Sequence, residues 1–272
     1  MKHLHDFVGE FLGTFVLVFF GCSTVAVTVL FEAHQGLMQV AFAWGIGVTL
    51  AIYCSRHLSC AHLNPAVSIA MVVSHRMKWR LLPWYILGQF LGAFAAAALL
   101  YGLFGATITQ FEAHQHILRG SDASRITAMI FGEFFPNPGL PAWVQVGPVT
   151  AFFAEAVGTG MLVMLIFSLT DKCNLGRPDE ALSPFFIGAT VTVIIAIIAP
   201  LTQAGLNPAR DLAPRLFACW AGWGDAAFPP VPWSFLTVYV LGPILGAILA
   251  ALAFTWGIEP LAIKRGQTDS CC

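Results

Sequence analysis

Charge is what this chain has least of. Of its 272 residues only 10% are Asp, Glu, Lys or Arg and 58% are hydrophobic, whereas a soluble domain carries about a quarter of its residues as charges. So little charge excludes a water-facing surface all round, and the mean hydropathy of +0.78 assigns the chain to a lipid bilayer. Blocks of Lys and Arg are missing as well. The formal net charge is -1, which leaves no basic footprint for a nucleic-acid backbone. There is no Ser/His/Asp constellation, no glycine-rich phosphate loop and no metal cluster, so neither an enzyme nor a bound cofactor or metal is expected. Cys22, Cys54, Cys60, Cys173, Cys219, Cys271 and Cys272 lie mostly in apolar runs without metal-ligand spacing, and predict neither a zinc site nor a disulfide framework. The terminal pair matches no lipidation signal and reads as an exposed tail.

Long apolar runs are what the chain has instead. A helix crossing the hydrocarbon needs about 20 mostly apolar residues, and six stretches meet this: 7–30, 38–55, 82–104, 147–169, 183–201 and 232–257. The first is too long for the core of a signal peptide and reads as a retained span. Two shorter apolar stretches, Asn64 to Val73 and Asn207 to Trp220, open with Asn-Pro and are too short to cross. Basic residues near span ends favour the cytoplasmic side. With both termini inside, Lys2, Arg56, Arg76, Lys78, Arg80, Lys172, Arg177, Lys264 and Arg265 are cytoplasmic; only Arg119, Arg125, Arg210 and Arg215 are outside. That excess predicts cytoplasmic termini.

The chain also repeats itself. Gly9-Glu-Phe-Leu-Gly-Thr14 returns as Ala154-Glu-Ala-Val-Gly-Thr159, His62-Leu-Asn-Pro-Ala66 as Gly205-Leu-Asn-Pro-Ala209, and Gly88-Gln-Phe-Leu-Gly-Ala93 as Gly242-Pro-Ile-Leu-Gly-Ala247. Glu10 precedes Asn64 by 54 positions and Glu155 precedes Asn207 by 52, so residues about 1–125 and 126–265 are two copies within a single domain, 1–272. Three crossings per copy is an odd number, so the second copy enters from the opposite face. Inverted copies with interrupted apolar segments at matching places point to a site at the bilayer midplane. The expected architecture is an all-α membrane protein of six transmembrane helices plus two re-entrant half-helices in an inverted repeat.

Asn is a favoured helix N-cap and Pro fits the first helical position. Asn64-Pro65-Ala66 and Asn207-Pro208-Ala209 therefore each start a helix. In a soluble protein two such starts would be ordinary; at membrane depth the loops before them must be buried in protein or line a watery cavity. Inverted symmetry brings the two starts together, each with about half a positive charge at its N-terminus, which repels cations. Asn64 and Asn207 offer side-chain N–H donors, and the carbonyls of Cys60, Ala61, His62 and Leu63, and of Gln203, Ala204, Gly205 and Leu206, offer acceptors. Such a path suits neutral, hydrogen-bonding molecules. Glu10 and Glu155 lie inside apolar spans, where a carboxylate is a functional candidate. Their matching positions favour acceptors for the two loops' N–H groups over a proton relay, and His62 is read as orienting its loop.

With these boxes, their flanks and the Glu-x-x-Gly-Thr openings, the chain resembles the major intrinsic proteins, the aquaporins and glycerol facilitators, over nearly its whole length. The resemblance implies a homotetramer in the cytoplasmic membrane with one pore per protomer, and no catalysis. Asp211 after Arg210, Arg215 four further on, and Phe111 to Gly120 are similar to bacterial glycerol facilitators. Within Phe111 to Gly120, His114 and His116 read as a solvated loop pair rather than metal ligands. The resemblance puts Trp44, Ile195, Ala204 and Arg210 at the narrow outer filter, with Arg210 as a hydrogen-bond donor and second barrier to cations. Glycerol facilitators have Gly where Ile195 stands and Phe where Ala204 stands. The present set, together with Tyr239, is similar to plant nodulin-26-like channels. An apolar wall of Trp44 and Ile195 facing Arg210 suits a solute with carbons on one side and hydroxyls on the other. The expected function is passive conduction of glycerol and related neutral solutes, with some water. The alternatives are a pore mainly for water, urea, ammonia or metalloid acids, and a proton-coupled transporter.

Overall fold

A computed structural model describes residues 2–141 and 143–264; Cys271 and Cys272 lie outside them. Every regular element among these residues is helical. In chain order they are α1 (Lys2–Phe31), α2 (Leu37–Ser55), the half-helix α3 (Pro65–Val73), α4 (Leu82–His114), the short α5 (Arg125–Ala128), α6 (Pro148–Thr170), α7 (Ser183–Thr202), the half-helix α8 (Pro208–Ala218), α9 (Ser234–Leu236), α10 (Gly242–Ala253) and α11 (Glu259–Lys264). Five crossings are α1, α2, α4, α6 and α7, and the sixth, Ser234–Leu261, strings α9, α10 and the start of α11 together. The shortest crossing, α2, has 19 residues, about 28 Å at 1.5 Å per residue, which matches the hydrocarbon thickness.

α1 begins five residues before its expected start at 7, and two other spans depart from expectation. α4 runs ten residues beyond the expected end at 104, to His114. Its last turns are polar enough to end a hydropathy window, yet tertiary partners hold them in the helix: Glu112 is buried, pairing with Arg119 and accepting the Thr127 hydroxyl at 2.7 Å. The sixth crossing is a helix interrupted by wide turns at Thr237–Leu241 and Phe254–Ile258, and nothing in residue periodicity marks them.

Helices in lipid gain little by burying apolar groups against one another, so close backbone packing through small residues takes over. α1 packs on α4 as α6 packs on α10. A Cβ on Gly92 of α4 would lie 2.3 Å from the Phe11 carbonyl oxygen, and a Cβ on Gly246 of α10 would lie 1.8 Å from that of Ala156. The two glycines are repeat equivalents, as are Phe11 and Ala156, so one close contact is used twice. Each half-helix also lies against the last crossing of the other copy, α8 on α4 and α3 on α10. Large side chains such as Phe42, Leu103, Phe153 and Ile197 face outward, where lipid is their solvent.

Candidate functional site

The half-helices begin as the sequence spacing predicts. Asn64 and Asn207 are extended N-caps followed by Pro. The Asn64 side-chain oxygen accepts the Ala66 N–H at 2.8 Å, and that of Asn207 accepts the Ala209 and Arg210 N–H groups at 3.1 and 3.2 Å. Pro65, Ala66, Pro208 and Ala209 are buried behind these caps as the first turns of α3 and α8. The boxes are also tied across the repeat axis. The Asn64 amide donates to the Leu206 carbonyl at 2.9 Å, and the Asn207 amide donates to the Leu63 carbonyl at 2.7 Å. One N–H of each amide is thus spent on the opposite loop, leaving the other for a passing hydroxyl. The carbonyls of Leu63 and Leu206, read from sequence as free acceptors, are each partly occupied by this brace.

The loops ahead of the caps are strained. Ala61, Leu63, Gln203, Ala204 and Leu206 all have φ between 51° and 63°, left-handed values that cost a non-glycine residue about 1–2 kcal/mol each. Two buried glutamates hold them there. Glu10 accepts the N–H groups of His62 and Leu63 at 2.9 and 2.7 Å, together with Ser59 Oγ and Gln89 Nε2. Glu155 accepts those of Gly205 and Leu206 at 2.9 and 2.7 Å, and the Thr202 hydroxyl at 2.6 Å. Tyr239 adds a hydrogen bond from its hydroxyl to the Thr202 carbonyl at 3.0 Å. His62 places Nδ1 3.2 Å from Ser68 Oγ.

A cavity of about 390 Å³ runs past these groups. Its wall includes Trp44, Ile195, Ala204 and Arg210 toward one end, Asn64 and Asn207 with Leu63, Gly205 and Leu206 in the middle, and Cys60, Ala61 and His62 beyond. Glu10, Glu155 and Gln203 stand outside that wall. Gln203 instead turns its side chain away, accepting the Phe134 N–H at 2.7 Å.

Sequence reasoning missed one charged group beside Arg210. Arg210 is 5% exposed, lies 4.1 Å over the Trp44 ring and forms an ion pair with Glu133 through Nη2, while Nη1 has no protein partner. The guanidinium charge that sequence assigned to the filter is therefore balanced in place, and Nη1, itself buried, is left without a protein partner. Glu133 sits in the connection between α5 and α6, held by its backbone: its N–H donates to Asp211 Oδ1 at 2.7 Å and its carbonyl accepts from Arg215. Arg215 in turn pairs with Asp211 at 2.7 Å and donates to the Ala227 carbonyl at 2.6 Å. Burial raises the Glu133 carboxyl above the ordinary carboxylate range, an effect the adjacent Arg210 charge opposes. No sequence pattern marks Glu133, because 78 positions separate it from the Asp211 that fixes it.

Against known proteins, residues 1–254 match the family model described as major intrinsic protein. The chain is 43% identical over 247 residues to the glycerol uptake facilitator protein of Pseudomonas aeruginosa, covering 90% of this chain and 85% of that one. It is 37% identical over 264 residues to Aquaporin-9 of Homo sapiens, covering 97% and 84%. Among solved structures it superposes on the aquaglyceroporin from Plasmodium falciparum with a TM-score of 0.82 at 28% identity, covering 96% and 98%.

Proposed function

This chain belongs to the major intrinsic protein family, and from that premise we propose that it conducts glycerol and other small neutral solutes across a membrane, downhill and without chemistry on the solute. It is a multi-pass membrane protein and a channel, not an enzyme. The observation that carries the reading is the braced pair of half-helices, whose capped N-termini meet beside a continuous cavity. Two facing N-termini place about half a positive charge each at the constriction, which turns cations away. With Arg210 balanced by Glu133, most of the exclusion of cations falls on this centre. The outer filter selects by shape: Trp44 and Ile195 contact the carbon face of a polyol, the Arg210 guanidinium donates to its hydroxyls, and Ala204 leaves space. Asn64 and Asn207 then donate in the middle, and the carbonyls from Cys60 to Leu63 and from Ala204 to Leu206 accept.

The carboxylates of Glu10 and Glu155 stand behind the wall with their oxygens occupied by loop donors, which argues for support of the loops and against a proton relay. We place the protein in the cytoplasmic membrane with both termini inside, as a homotetramer with one pore per protomer, passing some water with glycerol. The test is shrinkage and reswelling of protein-bearing vesicles in glycerol against an impermeant sugar, with and without an ionophore. Fast reswelling in glycerol alone, unchanged by the ionophore, is expected. Uptake that collapses with the proton gradient would mean a coupled transporter, and rapid water flow without glycerol influx would mean a water pore.

A further inference from the structure

The pore wall carries three arginines and no acidic residue among the described residues lining it. One is Arg210 at the filter. The other two, Arg56 and Arg76, lie at the opposite end, the cytoplasmic end in the orientation proposed above. Arg56 caps α2 twelve residues beyond Trp44, about 18 Å along the helix. Arg76 follows the C-terminal end of α3. They are unlike in their partners. Arg56 donates from Nη1 to the Glu180 carbonyl at 2.9 Å and makes no ion pair among the described residues. Arg76 pairs with Glu259 at 3.0 Å and lies 4.6 Å over the Phe167 ring, with its side chain 28% exposed. The negative end of α3 does not cancel them through space at close range, because its last carbonyls are taken by the N–H groups of Ser74, His75, Arg76 and Met77.

Two guanidiniums at the mouth of a cavity whose next residues, Cys60 to His62, belong to the carbonyl path make a site with two ends. One end suits a doubly charged oxyanion, which arginine grips with paired N–H donors; the other suits hydroxyls. We propose that the inner mouth binds a phosphate monoester of a small polyol, phosphate on Arg56 and Arg76 and hydroxyl tail toward Cys60 and His62, and that the bound anion plugs the channel. This rests on the channel reading above. The anion enters no further, because the path from Cys60 to Leu63 replaces its hydration with carbonyl oxygens, acceptors that repel a phosphate before it reaches the half-positive centre. A solute phosphorylated inside the cell would then slow its own further influx.

The test uses the whole protein in phosphatidylcholine vesicles free of anionic lipid, which removes a lipid headgroup as the source of phosphate. Glycerol influx is followed by light scattering with glycerol 3-phosphate or inorganic phosphate on both faces, each variant taken against its own anion-free rate. Glycerol 3-phosphate at millimolar concentration is expected to slow influx at least threefold, and inorganic phosphate less. Arg56→Gln should raise the half-inhibiting concentration about tenfold, the loss of one good charged contact. Glu259→Gln releases Arg76 from its carboxylate and should lower that concentration, a gain that a merely structural ion pair does not give. Inhibition absent in the wild type, or unchanged in both variants, would overturn the site. Calorimetric titration of the detergent-solubilised protein with glycerol 3-phosphate reads binding directly, so absence of glycerol flux in the anion-free vesicles would count against the channel and not against the site.

Discussion

Replacing Glu155 by Leu isolates the part of the design that holds the second loop in its pore-lining shape. The change keeps the side chain near its original size and removes three acceptor contacts: the Thr202 hydroxyl and the N–H groups of Gly205 and Leu206. Leaving a buried donor without a partner costs about 1–3 kcal/mol, so three together cost roughly 3–9 kcal/mol. The same loop stores strain at Gln203, Ala204 and Leu206, roughly 3–6 kcal/mol at about 1–2 kcal/mol each. Once the carboxylate is gone, both sums push the same way, and the loop relaxes to ordinary dihedrals. Relaxation moves the Leu206 carbonyl, which is the acceptor for the Asn64 amide, and shifts Ala204 in the cavity wall. Glycerol flux per folded protein should fall at least tenfold, the equivalent of only about 1.4 kcal/mol. Glu155→Gln keeps one acceptor oxygen but turns a second donor toward N–H groups, and should fall between the two. The assay is stopped-flow light scattering on vesicles, with folded protein quantified by gel filtration. Flux of Glu155→Leu within twofold of wild type would refute the reasoning.

The remaining predictions concern the filter and the packing. Glu133→Ala leaves Arg210 buried without its carboxylate, a loss of about 3–5 kcal/mol, and the melting temperature of the purified protein should drop. Adding Arg210→Val should recover most of that drop, whereas strictly additive losses would contradict the pairing. Arg210→Val alone should admit larger solutes, and a solute ranking identical to wild type would remove Arg210 from the filter. Ala204→Phe with Ile195→Gly should narrow the outer wall to the glycerol-facilitator shape and reorder a panel of polyols by size; an unchanged order would mean that these two positions do not face the solute. Gly246→Val drives a side chain into the Ala156 carbonyl, and should cost about 1–3 kcal/mol of stability, read as earlier thermal aggregation in detergent.

What was legible in the sequence is what local chemistry writes there. Asn-Pro-Ala announces a capped helix start, and its recurrence at matched distance from Glu10 and Glu155 announces two copies, because a cap and an intrahelical carboxylate are set by neighbours within a few residues. Length and hydropathy marked six crossings for the same reason. Long-range closure was not legible. The brace between Asn64 and Leu206 spans 142 positions, and it consumes donors and acceptors that a reading of each box alone leaves free. Glu133 reaches Arg210 only because Asp211, Arg215 and Gln203 hold its segment against it. The last turns of α4 are polar in sequence and helical in the structure because Arg119 and Thr127, well downstream, neutralise and bind Glu112.

The central claim is that two abutting half-helices pass neutral polar molecules and reject charge. It is tested most directly by measuring, in one preparation of vesicles, glycerol influx by light scattering and potassium and proton leak by an entrapped dye. The account predicts glycerol influx far above that of empty vesicles with ion leak equal to theirs. Glycerol influx at the empty-vesicle rate, or an ion leak that rises with the amount of protein, would contradict it.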